Sequence, residues 1–243
     1  MSASVPSGSP ESPPPVDTPA APDSSASRTI DSLTPTPVIG VLALQGAFAE
    51  HVRALDRLGV ASREVRLPAD LDGLAGLIVP GGESTTIGKL LDRTGLLDAI
   101  RQQATAEALP VWGTCAGLIV LARDIGDSGS RVGSPQPLLG LMDLQVRRNA
   151  FGTQLDSFET DLSAPAVADR PLPAVFIRAP VIEATGDRVE VLARLPDGRP
   201  VAAREGRFLV TAFHPELTDD LAFHRYFVEV VAAEAVTMAC RSA

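Results

Sequence analysis

The stretch Pro110-Val111-Trp112-Gly113-Thr114-Cys115-Ala116-Gly117-Leu118-Ile119-Val120-Leu121-Ala122 reads as a buried strand, a tight turn and a helix. A cysteine stands at the apex, with a glycine two positions to either side. A nucleophile on a sharp strand-to-helix turn is pushed into the open, and glycine lets the neighbouring backbone pass closely. Cys115 also falls where a helix begins, and free N–H groups there favour a thiolate. Without the flanking glycines, a cysteine after a buried strand reads as a small core residue. With them, Cys115 is the candidate nucleophile.

Working upstream, strands are expected at Val38 to Leu44, Ala61 to Val65 and Leu74 to Val79. Between the first two lies a helix with Phe48, Val52, Leu55 and Leu58 inward, closed by Gly59. The third strand runs into Pro80-Gly81-Gly82-Glu83-Ser84-Thr85-Thr86, and helical stretches follow at Ile87 to Leu91 and Leu96 to Ala106. Near-continuous Val/Ile/Leu runs alternating with helices indicate a mostly parallel sheet covered on both faces. In such sheets the active residues lie beyond the carboxyl ends of the strands, where Gln45-Gly46, Gly81-Gly82-Glu83 and Cys115 all fall.

Downstream of a Gly/Ser/Pro-rich loop, Gly126 to Pro137, the pattern changes to short strands near Leu141 to Val146, Phe158 to Leu162, Ala174 to Ile177, Val181 to Glu183, Val189 to Leu195, Pro200 to Ala203 and Phe208 to Phe213. A final helix is expected from Asp219 to Val236. The fold class is α/β, with additional short strands in the second half.

Residues 1–37 carry nine prolines and nine serines, few large apolar side chains and no periodicity, the composition of a disordered extension. They show neither a basic n-region nor an apolar h-region, which argues against a secretory signal. Residues 38–240 suffice for one sizeable domain. No apolar run approaches the ~18 residues that span a bilayer. The formal charge is -9 with no Lys/Arg cluster, which argues against nucleic-acid or anionic-membrane binding. Two cysteines, Cys115 and Cys240, make no disulfide framework, and a reducing cytoplasm suits a working thiol. No metal-ligand spacing is present.

The last strand leads into Phe213-His214-Pro215-Glu216-Leu217. A residue before proline is biased to extended backbone, in which positions two apart share a side, so Glu216 should reach the His214 imidazole. That supplies a base and its orienter beside the nucleophile. Backbone N–H groups of Gly81 and Gly82, with that of Ala116, are candidate oxyanion donors. His51 and His224 have no partner at useful spacing and are read as surface or packing residues.

These motifs resemble class I glutamine amidotransferases, in particular the branch of glutaminase subunits of pyridoxal 5'-phosphate synthases. The resemblance rests on Leu44-Gln45-Gly46, Pro80 to Thr86, Gly113 to Leu118, Arg148-Asn149-Ala150-Phe151-Gly152, Asp156-Ser157-Phe158-Glu159, Phe176-Ile177-Arg178-Ala179-Pro180 and Phe213 to Leu217, in order across the whole domain. It implies a three-layer, flavodoxin-like domain and a Cys115, His214, Glu216 triad. It also implies L-glutamine contacts from Gly82, Glu83, Ser84, Arg148, Ile177 and Arg178, and Gln45 on the oxyanion side. Ammonia would pass to a (β/α)8-barrel synthase subunit. No cofactor is implied for this chain, since the vitamin is the complex's product.

Two rival readings are a glutaminase serving another synthase and a catalytically silent docking or regulatory subunit. Ala116 after the cysteine and Leu217 after His-Pro-Glu fit the vitamin branch. The joint presence of all three triad residues opposes a silent role. The glutamine-contact motifs disfavour an independent cysteine hydrolase.

Overall fold

The computed structural model describes residues 1, 37–106, 109–126, 136–148 and 157–233. The chain partitions into two units, Met1–Pro35 and Thr36–Ala243, and the second carries every element below. The expected disordered extension, most of the Gly126 to Pro137 loop, the Asn149 to Asp156 part of the matched motifs and Cys240 lie outside the described residues.

The chain runs β1 (Ile39–Leu42), α1 (Phe48–Arg57), β2 (Ser62–Val65), β3 (Gly76–Val79), α2 (Ser84–Thr94), α3 (Leu96–Ala106), β4 (Val111–Thr114) and α4 (Ala116–Leu121). It continues through β5 (Ala122–Asp124), β6 (Met142–Arg147), β7 (Ser157–Leu162), β8 (Leu172–Ile177), β9 (Val181–Thr185), β10 (Glu190–Arg194), β11 (Pro200–Glu205), β12 (Phe208–Thr211) and α5 (Ala222–Tyr226). Seven strands form one sheet in the order β10-β11-β12-β4-β3-β1-β2. The pairs β12/β4, β4/β3, β3/β1 and β1/β2 are parallel, and β10 and β11 extend the β12 edge antiparallel.

Strand β4 holds the centre, and its residues explain the layers. Trp112 meets His51 of α1, His224 of α5 and Phe227 beyond it. The next residue, Gly113, faces α4: a Cβ there would lie 2.5 Å from the Gly117 carbonyl carbon. Successive strand residues point to opposite faces, so α1 and α5 cover one side and α4 the other. Strands β1, β3 and β4 are buried at every position, as central parallel strands require.

The second half adds two small sheets, β5-β6-β9 and β7-β8. The β7-β8 pair is tied to the site, because the His214 N–H donates to the Val175 carbonyl of β8 at 2.8 Å.

Three local expectations need correction. The helix after Cys115 ends at Leu121, and Ala122 instead begins β5, which pairs with β6. The last helix starts at Ala222 rather than Asp219, because the Asp220 carboxylate accepts the Ala222 N–H at 2.9 Å. From Phe227 to Ala232 it widens into a π-helix, and residues beyond 233 lie outside the described residues.

Candidate active site

Cys115 lies between β4 and α4 with φ 48° and ψ -101°, a left-handed conformation that a side chain adopts at a cost. Its surroundings hold it there. The Cys115 N–H donates to the Thr211 carbonyl of β12 at 2.8 Å, and its carbonyl accepts from Leu118 at 3.1 Å. On the α4 side, a Cβ at Gly117 would sit 2.0 Å from the Val79 carbonyl oxygen. The glycines on either side of the cysteine are therefore demanded by backbone contact, and the turn read from the sequence is present.

His214 and Glu216 meet with Nδ1 and Oε1 2.7 Å apart. They do so by a different route from the one expected. His214 has φ -108° and ψ 85°, and Pro215–Leu217 forms a 3-10 turn with proline at its first position, so the pair closes across a turn rather than along an extended strand. With Nδ1 committed to Glu216, Nε2 is the ring nitrogen left for Cys115. Burial opposes the imidazolium, but hydrogen bonds to Cys115 and to Glu216 outweigh it and lift the His214 pKa to about 10. Burial likewise opposes the Glu216 carboxylate, while the facing His51 and the His214 bond hold its pKa below the ordinary value. The arrangement sets the Cys115 sulfur beside an imidazole whose charged form is favoured, backed by a carboxylate.

A cavity of about 370 Å3 opens over the thiol, within the range of small-molecule sites. Its walls include Gln45, Gly82, Glu83, Ser84, Arg148, Ile177, Arg178 and Ala116. Gly81 does not line it. A Cβ on Gly81 would stand 2.4 Å from His214 Cε1, so the absence of a side chain here makes room for the imidazole. Among the described residues the N–H groups of Gly82 and Ala116 have no main-chain partner. The Gln45 Oε1 accepts the Glu83 N–H at 2.8 Å, which fixes the glycine turn and leaves the amide NH2 as the end free to donate. A larger groove of about 780 Å3, lined by Arg170, Asp220 and Tyr226 among others, contains no cysteine, serine, threonine or histidine.

Glu83 caps α2, accepting N–H bonds from Thr85 at 3.2 Å and Thr86 at 2.7 Å. Partial burial works against its charge, but the bonds from Thr86 and Thr85 prevail and hold its pKa below the ordinary value. Arg148 reaches Glu83 at 3.5 Å and donates to the Gln136 Oε1 at 2.9 Å. Arg178, like Cys115, has a positive φ of 48°.

Two features escape a reading of the sequence. Gln136 is buried and its Oε1 gathers Arg148, the Thr85 hydroxyl at 3.2 Å and the Ser84 hydroxyl at 3.5 Å, although it stands in a stretch that looks like plain loop. The second is a correction. His51 and His224 are fully buried, and His51 Nε2 lies 3.5 Å from Glu216 Oε2. A signal for this exists: His51 follows Phe48 by three and precedes Leu55 by four, placing it on the apolar stripe of α1.

Among the described residues no helix is long and apolar enough to cross a membrane, and no group of three or more His, Cys, Asp or Glu is placed to hold a metal ion.

The chain has relatives among known proteins. The chain is 60% identical over 190 residues to the pyridoxal 5'-phosphate synthase subunit PdxT of Herpetosiphon aurantiacus, covering 78% of this chain and 98% of that one. It is 54% identical over 193 residues to the PdxT protein of Moorella thermoacetica, covering 79% and 98%. A crystal structure of a glutamine amidotransferase superposes with a TM-score of 0.73 at 51% identity, covering 80% of this chain and 98% of that one. A putative GMP synthase component from Thermoplasma acidophilum shares the fold at 18% identity, with a TM-score of 0.59 over 84% of this chain and 97% of that one. The SNO glutamine amidotransferase family model matches residues 41–233, and the chain belongs to that family.

Proposed function

We propose that this chain is the glutaminase subunit of a pyridoxal 5'-phosphate synthase, hydrolysing L-glutamine to L-glutamate and ammonia and handing the ammonia to a (β/α)8-barrel synthase subunit. The observation that carries the reading is the strained Cys115, paired with a His214 raised to about 10, at the floor of a cavity walled by Gly82, Glu83, Ser84, Arg148, Ile177 and Arg178. The names of the relatives supply the synthase.

The Cys115 thiolate attacks the side-chain amide carbon of glutamine. The carbonyl π electrons move to oxygen, and the N–H groups of Gly82 and Ala116 hold that oxyanion, each such donor contributing about 3 kcal/mol. The imidazolium of His214 gives its proton to the nitrogen, the C–N bond breaks and ammonia leaves. The γ-glutamyl thioester remains. Water then gives a proton to the neutral His214 as its oxygen attacks the thioester carbon, and the C–S bond breaks to release glutamate and restore the thiolate-imidazolium pair. Glu216 fixes the His214 tautomer and steadies its charge throughout. Arg148, with a planar fork, is suited to the α-carboxylate of the amino acid.

Ammonia released into water at neutral pH is protonated and loses its nucleophilicity, so the chemistry needs a receiving protein. The test is glutamate release from L-glutamine by the full chain, with and without the cognate synthase subunit, and with Cys115→Ala as control. Partner-stimulated release that vanishes in the variant supports the proposal. No glutamate in either state overturns it.

A further inference from the structure

Behind Glu216, on the side away from His214, lies a buried polar cluster that the reaction above does not use. His51 on α1 and His224 on α5 are both fully buried, 173 residues apart in sequence, with His51 Nδ1 2.9 Å from His224 Nε2. The other nitrogen of His51, Nε2, lies 3.2 Å from Thr114 Oγ1 and 3.5 Å from Glu216 Oε2. Glu216 Oε2 makes no hydrogen bond of ordinary geometry. Thr114 immediately precedes Cys115, so the cluster touches both the orienting carboxylate and the turn that carries the thiol.

The protonation pattern follows from the contacts. One of the two facing imidazole nitrogens must donate to the other. If His51 Nδ1 carried the proton, the Nε2 lone pair would face a carboxylate, and a buried His224 N–H would be left without an acceptor at Nδ1, which has no partner. If His224 Nε2–H donates to His51 Nδ1, the His51 Nε2–H points to Thr114 and Glu216, and the unpartnered atom is an acceptor, the cheaper group to leave bare.

We propose that His51 is a positioning residue: its Nε2–H steadies Glu216 Oε2, so that Oε1 stays aligned on His214 Nδ1, and His224 fixes the His51 tautomer that permits this. The proposal rests on the glutaminase reading for its purpose and on the side-chain geometry for its content.

Burial, not the neighbouring carboxylates, decides the charge of both histidines. Burial lowers the pKa of His51; Glu216 and Glu50 act in the opposite sense, and His214 adds to the lowering. His224 is lowered well below its ordinary value by burial, then by His51 and Arg57. Glu216 faces His51 and His214. The cluster thus places a neutral donor behind the carboxylate.

The test uses the full chain and needs no turnover. Alkylation of Cys115 by iodoacetamide, followed by peptide mass spectrometry to exclude Cys240, reports the pH at which the thiolate-imidazolium pair forms. His51→Phe should raise the half-reactive pH by about one unit, because a carboxylate deprived of its donor supports His214 less well. His51→Gln, whose amide NH2 sits close to the Nε2 position, should restore it. In the complex, His51→Phe should lower kcat about ten-fold with KM nearly unchanged. A residue that merely fills space would give the opposite order, Phe tolerated and Gln not, and that result overturns the proposal. If His51→Phe does not fold, nitrogen NMR of the wild-type imidazoles decides: His51 protonated at Nε2 supports the proposal, and protonation at Nδ1 overturns it. Failure of the glutaminase reading would show as absent turnover in wild type and would leave both readouts standing.

Discussion

Gly81→Ala separates alignment of the reacting groups from integrity of the fold. Gly81 is buried at the end of β3 and has no positive φ, so alanine introduces no backbone strain. Its Cβ, however, would lie 2.4 Å from His214 Cε1 and 2.9 Å from Nδ1, where ordinary contact begins at 3.4 Å. The imidazole must therefore withdraw by roughly 1 Å, stretching the 2.7 Å bond to Glu216 and moving away from the thiol. A misplacement of about 1 Å costs about 100-fold in rate. The overpacking costs about 1–3 kcal/mol, which a domain of ordinary stability tolerates. The assay is steady-state glutamate release by the complex, with circular dichroism and a thermal melt to establish folding. The expected result is a folded protein with kcat down about 100-fold and KM within a few-fold. A folded Gly81→Ala variant with kcat within about three-fold of wild type would refute the claim that this glycine exists to seat the imidazole.

Gly117→Ala should behave in the opposite way, because its Cβ would meet the Val79 carbonyl oxygen at 2.0 Å, backbone against backbone with nothing flexible to yield. A loss of about 3 kcal/mol or failure to fold is expected in denaturant titration, and a wild-type midpoint would contradict it. Cys115→Ala removes the larger of the two hydrogen bonds that raise His214, so its pKa should fall well below about 10 when the ring is followed by NMR; an unchanged titration would mean that Glu216 alone sets it. The raised His214 pKa also shapes stability. A group whose folded pKa exceeds its unfolded value stabilises fully below the unfolded value, and that contribution is lost as pH rises from about 6.5 through about 10. Thermal melts should therefore decline over that window, and less steeply in Cys115→Ala. Arg148→Lys keeps the charge but loses the fork that reaches Gln136 and Glu83, so KM for glutamine should rise about ten-fold with kcat little changed, as measured by initial rates.

Much of this architecture is legible in the sequence because its determinants are local. Central parallel strands are buried at every position, and β1, β3 and β4 are apolar but for Thr114 at the end of β4; a position whose Cβ would fall 2.0 Å from a carbonyl oxygen needs glycine, and Gly117 is one. What escapes depends on where distant segments meet. The tertiary bond from His214 to Val175 and the turn at Pro215 carry no local pattern that distinguishes them from an extended strand end. Gln136 is one polar residue in a polar stretch, and its burial comes from Ser84, Thr85 and Arg148 closing around it. The pairing of His51 with His224 is invisible because spacing along the chain cannot join residues 173 apart. Position on an apolar helix stripe indicates burial but not partnership with Glu216.

The cause of the raised His214 pKa bears directly on the proposed chemistry. An imidazolium near 10 is a poor acid, and glutaminolysis needs it to protonate a departing nitrogen. Yet the largest raising influence is the hydrogen bond to Cys115, and that influence exists while sulfur holds a negative charge. As the C–S bond forms, the charge moves from sulfur to the oxyanion, toward the N–H groups of Gly82 and Ala116. The pKa of His214 then falls, and the ring becomes a better acid at the moment the nitrogen requires its proton. After ammonia departs, the neutral ring, still held by Glu216 at 2.7 Å, is the base that deacylation needs. One buried carboxylate with a fixed orientation can serve both half-reactions because the thiol's own charge performs the switching.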